Sequence, residues 1–275
     1  MFFLCTLLAL AAVTAILFAA PLRCKAPSAL AIVGAGALWG CTQAVATLAG
    51  VPERLLWLLP GTLFGGDSGS MDSLSALFVL IVSVGSLAAT AYSRGYLARY
   101  LPLKSPAHIS LHYTALVVLF YAMLGVVLSD GGYSFLFFWE LMTVASFLLI
   151  LFDAERREVR RAALSYLIMM HIGFVLLVVG FVRLEAVTGS AAFGALAEYF
   201  RTQPALPLFA VFLAGFGMKA GLFPMHVWLP EAHPAAPSHV SALMSGVMIK
   251  TGVYGILRTT AALGELPALR AAGYI

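Results

Sequence analysis

The sequence predicts an all-α fold, a polytopic transmembrane helical bundle, and three observations lead to that prediction. Apolar residues make up 62% of the 275 residues and charged residues only 10%, with a mean hydropathy of +0.98, whereas soluble domains contain about 25% charged residues. Apolar runs of membrane-spanning length recur along the chain. The breaks between them carry glycine, proline, aspartate or clusters of charge. We therefore treat residues 1–275 as a single membrane domain.

About eight runs are long enough to cross the hydrocarbon core, which takes about 20 helical residues. The first is interpreted as a span that is retained, because no lysine or arginine precedes it and Pro21 follows it, unlike a cleaved signal peptide. The seventh run is expected to be a broken helix. The predicted spans are 2–20, 29–49, 71–93, 109–129, 133–152, 163–183, 206–224 and 237–257.

Basic residues alternate between the two ends of the predicted spans. The positive-inside rule places loops rich in lysine and arginine in the cytoplasm. It therefore predicts an N-terminus outside and cytoplasmic loops after the first, third and fifth spans. Those loops carry Arg23, Lys25, Arg94, Arg99, Lys104, Arg156, Arg157, Arg160 and Arg161, against Arg54, Arg183 and Arg201 in the other loops.

The sequence offers no pattern for a metal or cofactor site. Cys5, Cys24 and Cys41 lack metal-ligand spacing and a paired disulfide framework. No Ser–His–Asp set or phosphate-binding loop supports catalysis by the chain itself. We therefore expect no cofactor, no metal and no enzyme active site. The net charge of +4 is small and lies in loops, so it does not indicate a nucleic-acid partner.

Four ionisable residues lie near the middle of predicted spans: Glu140, His171, Lys219 and Lys250. Each costs roughly 2.5–3.5 kcal/mol on membrane-insertion scales, which makes such residues candidates for a functional site. Glu140 could instead have a structural role, as a neutral carboxylic acid that forms a hydrogen bond to a neighbouring helix. His171 fits a neutral buried histidine as well as it fits a proton relay.

Lys219 gives the strongest signal, because Pro224 follows it five residues later. A proline inside a helix removes its own amide donor and frees the carbonyl four residues back, here that of Ala220. Non-helical backbone at membrane depth is tolerated only where protein or water satisfies it, and broken helices recur at ion sites of transporters. The alternative, a lysine that snorkels to an interface, fits less well because the apolar run continues on both sides.

Lys250 and His239 are eleven residues apart, or about three turns of 3.6 residues, so they are predicted to share one face of the eighth span. Gly246 lies between them on that face and leaves room for water. This spacing predicts a water-filled path for protons from the cytoplasmic end of the span to the middle of the membrane. Alternatively, His239 caps a helix end.

The stretch from Gly215 to Arg258 reads GFGMKAGLFPMHVWLPEAHPAAPSHVSALMSGVMIKTGVYGILR. It resembles the antiporter-like membrane subunits of respiratory complex I, of Mrp-type sodium/proton antiporters and of membrane-bound nickel–iron hydrogenases. Its most specific part contains Lys219, Pro224, His226 and the segment 228–233, and the fifth and sixth spans fit the same pattern. The resemblance covers residues 70–258. Residues 241–250 look most like the hydrogenase-4 component B or formate hydrogenlyase type.

The resemblance implies a non-catalytic, proton-translocating subunit of a redox-driven complex in a prokaryotic inner membrane, with other membrane and peripheral subunits as partners. Glu140 matches the family's fifth-span glutamate, Lys219 its broken-helix lysine and Lys250 an eighth-span lysine, and the first two act there as a coupled pair. The family fold has a second, inverted half, so the chain is expected to be an N-terminal fragment. A complex I subunit, an Mrp-type sodium/proton antiporter subunit and a structural scaffold remain alternatives. Sodium would need hard oxygen ligands, and the spans offer few carboxylates besides Glu140.

Overall fold

A computed structural model of the protein describes residues 2–51 and 71–264, and these residues form helices joined by short turns. Arg54, which the topology prediction used, lies outside the described residues. An isolated bridge between Gly131 and Ala192 is the β-type pairing recorded in the described part. The helices are α1 (Phe2–Ala19), α2 (Leu22–Leu48), α3 (Ser73–Ala98), α4 (Pro106–Leu128), α5 (Gly132–Ile150), α6 (Arg157–Thr188), α7 (Leu196–Thr202), α8 (Ala205–Ala220), α9 (Leu229–Ala235), α10 (Ser238–Leu243) and α11 (Ile249–Gly264), with a π-helical segment Met244–Met248 between the last two.

The helices confirm an all-α membrane bundle. Among the described residues, six helical stretches are long and apolar enough to cross a membrane, if the segment from α10 to α11 counts as one. Two shorter apolar helices, Leu8–Ala19 within α1 and α8, occupy the positions of the predicted first and seventh spans. The predicted number of eight spans is therefore approximate. The chain is an integral membrane protein, and large apolar side chains such as Leu38 and Val84 face outward from the bundle.

Two helices begin earlier than the sequence predicted. α2 starts at Leu22, seven residues before the predicted span, with Pro27 inside it. A proline this close to the start of a helix removes only one intrahelical hydrogen bond, so it does not end the helix. Lys25 was assigned to a loop, but the structure places it within α2 with only 2% of its surface exposed. α6 starts at Arg157, so its charged residues form a solvated helix end, as predicted.

Helix α4 lies at the centre of the bundle and is buried on nearly all sides. It packs against α1, α2, α3 and α5. A helix that is apolar around its whole circumference is typical of such a central position. Its few polar side chains are therefore enclosed by protein and not by lipid, and two of them, Ser110 and His112, take part in contacts described below.

Close backbone approaches hold the end of α8 in place. A Cβ on Gly215 of α8 would come within 3.0 Å of the Gly173 carbonyl of α6, and one on Gly252 of α11 would come within 2.6 Å of the Ala220 amide nitrogen. Glycine at these positions lets the three helices touch along their backbones, as small residues do at helix interfaces in membranes. The last turn of α8, which carries Lys219, is thus clamped between α6 and α11.

Candidate functional site

The seventh apolar run is broken, as predicted, but glycine and not proline ends the helix. α8 stops at Ala220, and Gly221 follows with a φ of +71° in the left-handed region. The amides of Gly221 and Leu222 both donate to the Gly217 carbonyl, the latter at 2.9 Å, which is the pattern of a glycine C-cap. Pro224, the residue from which the break was inferred, comes after the helix has ended.

The chain between α8 and α9 folds back over the helix end. Trp228 is buried, and its Nε1 donates to the Met218 carbonyl at 2.9 Å. One of the carbonyls near the broken end therefore has a protein partner, as buried backbone groups at membrane depth require. The helix resumes at Leu229 as α9.

Lys219 lies in the last turn of α8 with 1% of its surface exposed. Its Nζ donates to Thr143 Oγ1 at 3.1 Å and to the Tyr166 hydroxyl at 3.0 Å. The amine also lies 5.7 Å from the centre of the Trp139 ring, a cation–π distance. Helices α5, α6 and α8 therefore meet at one buried amine, and its hydrogen-bond partners are two hydroxyl groups.

The Tyr166 hydroxyl links this amine to a second hydroxyl on α5. It lies 2.5 Å from Ser146 Oγ, and both side chains are buried. The Met248 sulfur, in the π-helical segment, lies 3.7 Å from the same oxygen. Hydroxyls both donate and accept hydrogen bonds, so the row of Ser146, Tyr166 and Lys219 can carry a proton in either direction. The sequence analysis did not single out Thr143, Ser146 or the role of the Tyr166 hydroxyl.

Glu140 pairs with His171 across α5 and α6. Glu140 Oε1 lies 2.9 Å from His171 Nε2, and the two side chains are 25% and 48% exposed. His171 Nδ1 lies 2.9 Å from the Leu167 carbonyl. A carbonyl can only accept, so Nδ1 carries a hydrogen, and the short contact at Nε2 then needs a further proton on the imidazole or on the carboxyl group. An imidazole and a carboxyl group at this distance can share a proton.

Glu140 and Lys219, which were predicted to act as a coupled pair, make no direct contact, and among the described residues no carboxylate forms an ion pair with Lys219. Glu140 interacts with Lys219 electrostatically, at longer range. The reason is the helical spacing on α5: Thr143, the partner of Lys219, is three residues from Glu140 and so lies one turn further along the same face. Of the two alternatives for His171, the fully buried histidine does not fit, because 48% of its side chain is exposed. Glu140 Oε2 is buried and has no partner within the described part.

His239 and Lys250 do not share a face, contrary to the sequence analysis. His239 is buried with 1% of its surface exposed, whereas Lys250 and Gly246 are exposed. The π-helical segment Met244–Met248 lies between them and has more residues per turn than the α-helical count assumed. His239 and Gly246 line a groove of about 820 Å³ between α3 and α10, but its walls are mainly aliphatic and do not support a water-filled path to Lys250.

His239 instead contacts a histidine that the sequence analysis missed. Its Nε2 lies 2.8 Å from Nε2 of His112, which is 3% exposed and belongs to the central helix α4. His112 stands only three residues inside the predicted fourth span and was not among the four ionisable residues singled out from the sequence. The signal that could have found it is a titratable residue inside the most uniformly apolar run.

Within residues 2–51 and 71–264, no group of three or more histidine, cysteine, aspartate or glutamate residues could hold a metal ion. The candidate site is therefore built from an amine, a carboxyl, imidazoles and hydroxyls. These are groups that bind and release protons or bond those that do.

Residues 129–269 match the model of a protein family described as NADH:quinone oxidoreductase/Mrp antiporter, TM. The matched segment holds Glu140, Tyr166, His171, Lys219 and Lys250, and it excludes His112.

Three relatives illustrate the breadth of the similarity. The chain is 40% identical over 206 residues to an uncharacterized protein of Mycobacterium tuberculosis (74% of this chain, 30% of that protein). It is 37% identical over 193 residues to hydrogenase-4 component B of Escherichia coli (68% and 27%). It is 34% identical over 199 residues to the Staphylococcus aureus protein that carries the name antiporter subunit mnhA2 (70% and 24%). The matches thus cover less than a third of each relative's own length.

Two solved structures share the fold. A chain of the archaeal membrane-bound sulfane sulfur reductase superposes with a TM-score of 0.78 at 18% identity, covering 97% of this chain and 54% of that one. A chain of the Mrp complex from Dietzia sp. DQ12-45-1b superposes with a TM-score of 0.76 at 22% identity, covering 94% and 47%. At these identities the likeness concerns architecture.

Proposed function

The chain belongs to the NADH:quinone oxidoreductase/Mrp antiporter membrane family, and we propose that it translocates protons as an antiporter-like subunit of a redox-driven complex. The observation that carries this proposal is the buried amine of Lys219 between two hydroxyls at the end of a broken helix. Broken helices that point freed backbone and charge into the membrane are typical of transporter ion sites.

The proposed transfer uses two proton carriers and the hydroxyls between them. Lys219 exchanges its proton with the Tyr166 hydroxyl, which connects to Ser146. The Glu140–His171 pair holds the second mobile proton. Movement of that proton changes the charge near Lys219 and so couples the two carriers. Lys250 is proposed to accept the proton from Lys219. It lies on an exposed face of the eighth span, so a neighbouring element would have to cover it in an assembled complex.

We propose a membrane-bound hydrogenase of the hydrogenase-4 type as the complex, with other membrane and peripheral subunits as partners. Similarity to hydrogenase-4 component B supports this choice. Similarity to an antiporter subunit and to the Mrp fold favours a second candidate, an Mrp-type sodium/proton antiporter subunit. Sodium prefers several hard oxygen ligands, and the site around Lys219 presents an amine in place of a second carboxylate, which favours protons.

The orientation of the chain follows from its basic residues. We propose that the bundle end with Lys104 and Arg157 faces the cytoplasm of a prokaryotic cell, with the N-terminus outside. A reporter tag near residues 156–161 is expected to report cytoplasm, and one near Asp130 the outside. The reverse pattern would contradict the proposed orientation.

The test of function is proton uptake by vesicles from cells that make the chain with its partner subunits. Wild-type vesicles are expected to accumulate protons when the complex turns over, and Lys219→Gln vesicles are expected not to. Lys104→Gln, in the loop between α3 and α4, is the matched control and is expected to keep wild-type uptake. Replacement of external sodium by potassium separates the two candidates: uptake that persists without sodium supports proton pumping, and uptake that requires sodium supports the antiporter.

A further inference from the structure

The contact between His112 and His239 has a specific hydrogen-bond requirement. Their Nε2 atoms are 2.8 Å apart, both side chains are almost fully buried, and neither Nδ1 has a partner within the described residues. Two lone pairs cannot form a hydrogen bond, so one Nε2 carries a hydrogen and the other accepts it. In the neutral pair, one ring then has a free Nδ1 acceptor and the other a free Nδ1–H donor.

Burial of these two nitrogens without a hydrogen-bond partner costs folding free energy unless water reaches them. An unsatisfied buried donor or acceptor costs about 1–3 kcal/mol, and buried waters commonly satisfy such groups. Two apolar residues of the right shape would connect α4 to α10 without this cost. The pair is therefore a poor choice for packing alone, and its two unbonded nitrogens are available to bind water.

We propose that His112 and His239 form a two-imidazole proton relay that feeds Lys219, an inference that rests on the proposed function. A proton from water binds the free Nδ1 of the first ring. That ring passes its Nε2 hydrogen to Nε2 of the second ring, which releases its own Nδ1 hydrogen to water. One proton enters and one leaves, and both rings end neutral with their tautomers exchanged. The starting tautomers return when, in each ring, water takes the proton from one nitrogen and gives a proton to the other.

Access to the pair comes from the bundle end with the basic loops. His108 lies one turn before His112 on α4, is half-buried, and its Nε2 bonds the Phe152 carbonyl at 2.9 Å. The Phe152 ring packs edge-on against both histidines, with its centre 5.1 Å from that of His108 and 4.9 Å from that of His112. The Tyr96 ring of α3 covers His239, and the centres of the two rings are 5.2 Å apart. Aromatic rings thus restrict the entrance, and His108 is the group that meets solvent.

The inner side of the relay leads toward Lys219 along α5. Phe152, which packs on His112, follows Ser146 by six residues, or about 9 Å at 1.5 Å per residue. Ser146 bonds the Tyr166 hydroxyl, which bonds Lys219. A short chain of waters across this distance would join the histidine pair to the buried amine.

The test compares proton uptake by vesicles of the assembled complex. His112→Gln and His239→Gln are each expected to reduce the initial rate about tenfold or more, and the double variant is expected to do no worse than either, because residues of one relay act as a unit. Tyr199→Phe, a change of the same kind at a buried tyrosine of α7 outside the relay, is expected to leave the rate unchanged. Added imidazole is expected to restore uptake in His239→Ala, since a free base can replace the missing ring.

A structural role predicts different results. Two glutamine amides can bond one another, so if the pair only joins the helices, the double glutamine variant would pump normally, and that result would overturn the relay. Normal uptake by both single variants, with complex assembly intact and Lys219→Gln inactive, would overturn the relay while the proposed function stands. Normal uptake by Lys219→Gln would overturn both.

Discussion

The chain holds two lysines that are almost fully buried, and their surroundings differ. Lys25 of α2 is 2% exposed, and Lys219 of α8 is 1% exposed. Lys25 Nζ donates to the carbonyls of Leu17 and Phe18 at 2.9 and 3.4 Å and to the Ser110 hydroxyl. Lys219 Nζ bonds two hydroxyls and no carbonyl among the contacts described.

This difference supports the proposal that Lys25 has a structural role and Lys219 a role in proton transfer. Two of the three partners of Lys25 are carbonyls of the last turn of α1, which lack intrahelical partners and carry the negative end of the helix dipole. Carbonyls only accept, so Lys25 has to donate a hydrogen bond to each of them. Hydroxyls donate and accept, so Thr143 and Tyr166 can bond Lys219 as an ammonium and as a neutral amine. The two lysines are buried to nearly the same depth, so the chemistry of their partners is the reason for proposing a transport role for Lys219 alone.

The largest expected effect concerns the two proton carriers at the proposed proton-transfer site. Glu140→Gln and Lys219→Ala are each expected to abolish proton uptake in the assembled complex, because each removes a group that binds the transported proton. The double variant is expected to lose no more than either single one, since the two act as a unit. Vesicle uptake assays with all three variants measure this. Losses that simply multiply would contradict the coupling of Glu140 with Lys219.

A smaller effect is expected at the hydroxyls. Tyr166→Phe removes one partner of Lys219 and breaks the link to Ser146, and we expect uptake to fall about two- to tenfold, the equivalent of one hydrogen bond of roughly 0.5–1.5 kcal/mol. Thr143→Val removes the other partner with a similar shape. If both variants pump at the wild-type rate, the hydroxyls do not define the site.

Lys25 is expected to affect stability and not transport. Lys25→Gln leaves carbonyls at the end of α1 without their charged donor and is expected to destabilise the fold by about 1–3 kcal/mol. Thermal unfolding in detergent measures this loss. Uptake per assembled molecule should stay near the wild-type value. A folded Lys25→Gln complex that fails to pump would show that the comparison between the two lysines is wrong.

The smallest effect is expected at Lys104, which pairs with Glu155 at 2.8 Å and with Asp153 at 3.2 Å. The hydrogen bond from Lys104 lowers the pKa of Glu155. A carboxyl group whose pKa is lower in the folded than in the unfolded state stabilises the fold at pH values above its unfolded pKa of about 4.3. This stabilisation is lost as the pH falls through the folded pKa. Lys104→Gln should therefore cost less than about 1 kcal/mol at neutral pH and nothing in stronger acid, as seen by unfolding at several pH values.

The sequence predicted the bundle well because lipid imposes a simple rule on composition and length. Eight apolar runs, a break near Lys219 and the charged start of α6 all follow from the cost of placing polar groups in hydrocarbon. The same rule failed for Lys25, since a basic residue near Pro27 resembles a loop. Only the packed structure shows that the end of α1 supplies its partners.

The contacts between helices could not be predicted from the sequence, because they depend on how each helix is rotated about its axis. Glu140 was predicted to be coupled to Lys219, and the structure shows that its direct contact is with His171. The π-helical turn that separates the faces of His239 and Lys250 has no clear sequence signal. Spacing along one helix predicted which residues are chemically unusual, and packing decided which of them meet.

The comparison of the two lysines is tested most directly by one matched substitution made at both. Lys25→Gln and Lys219→Gln remove the same charge from sites of equal burial, and the initial rate of proton uptake is measured per assembled complex in vesicles. The account predicts a near wild-type rate for Lys25→Gln and no uptake above the uncoupled background for Lys219→Gln. Equal rates for the two variants, whether both normal or both lost, would contradict the assignment of Lys219 as the lysine with a role in proton transfer.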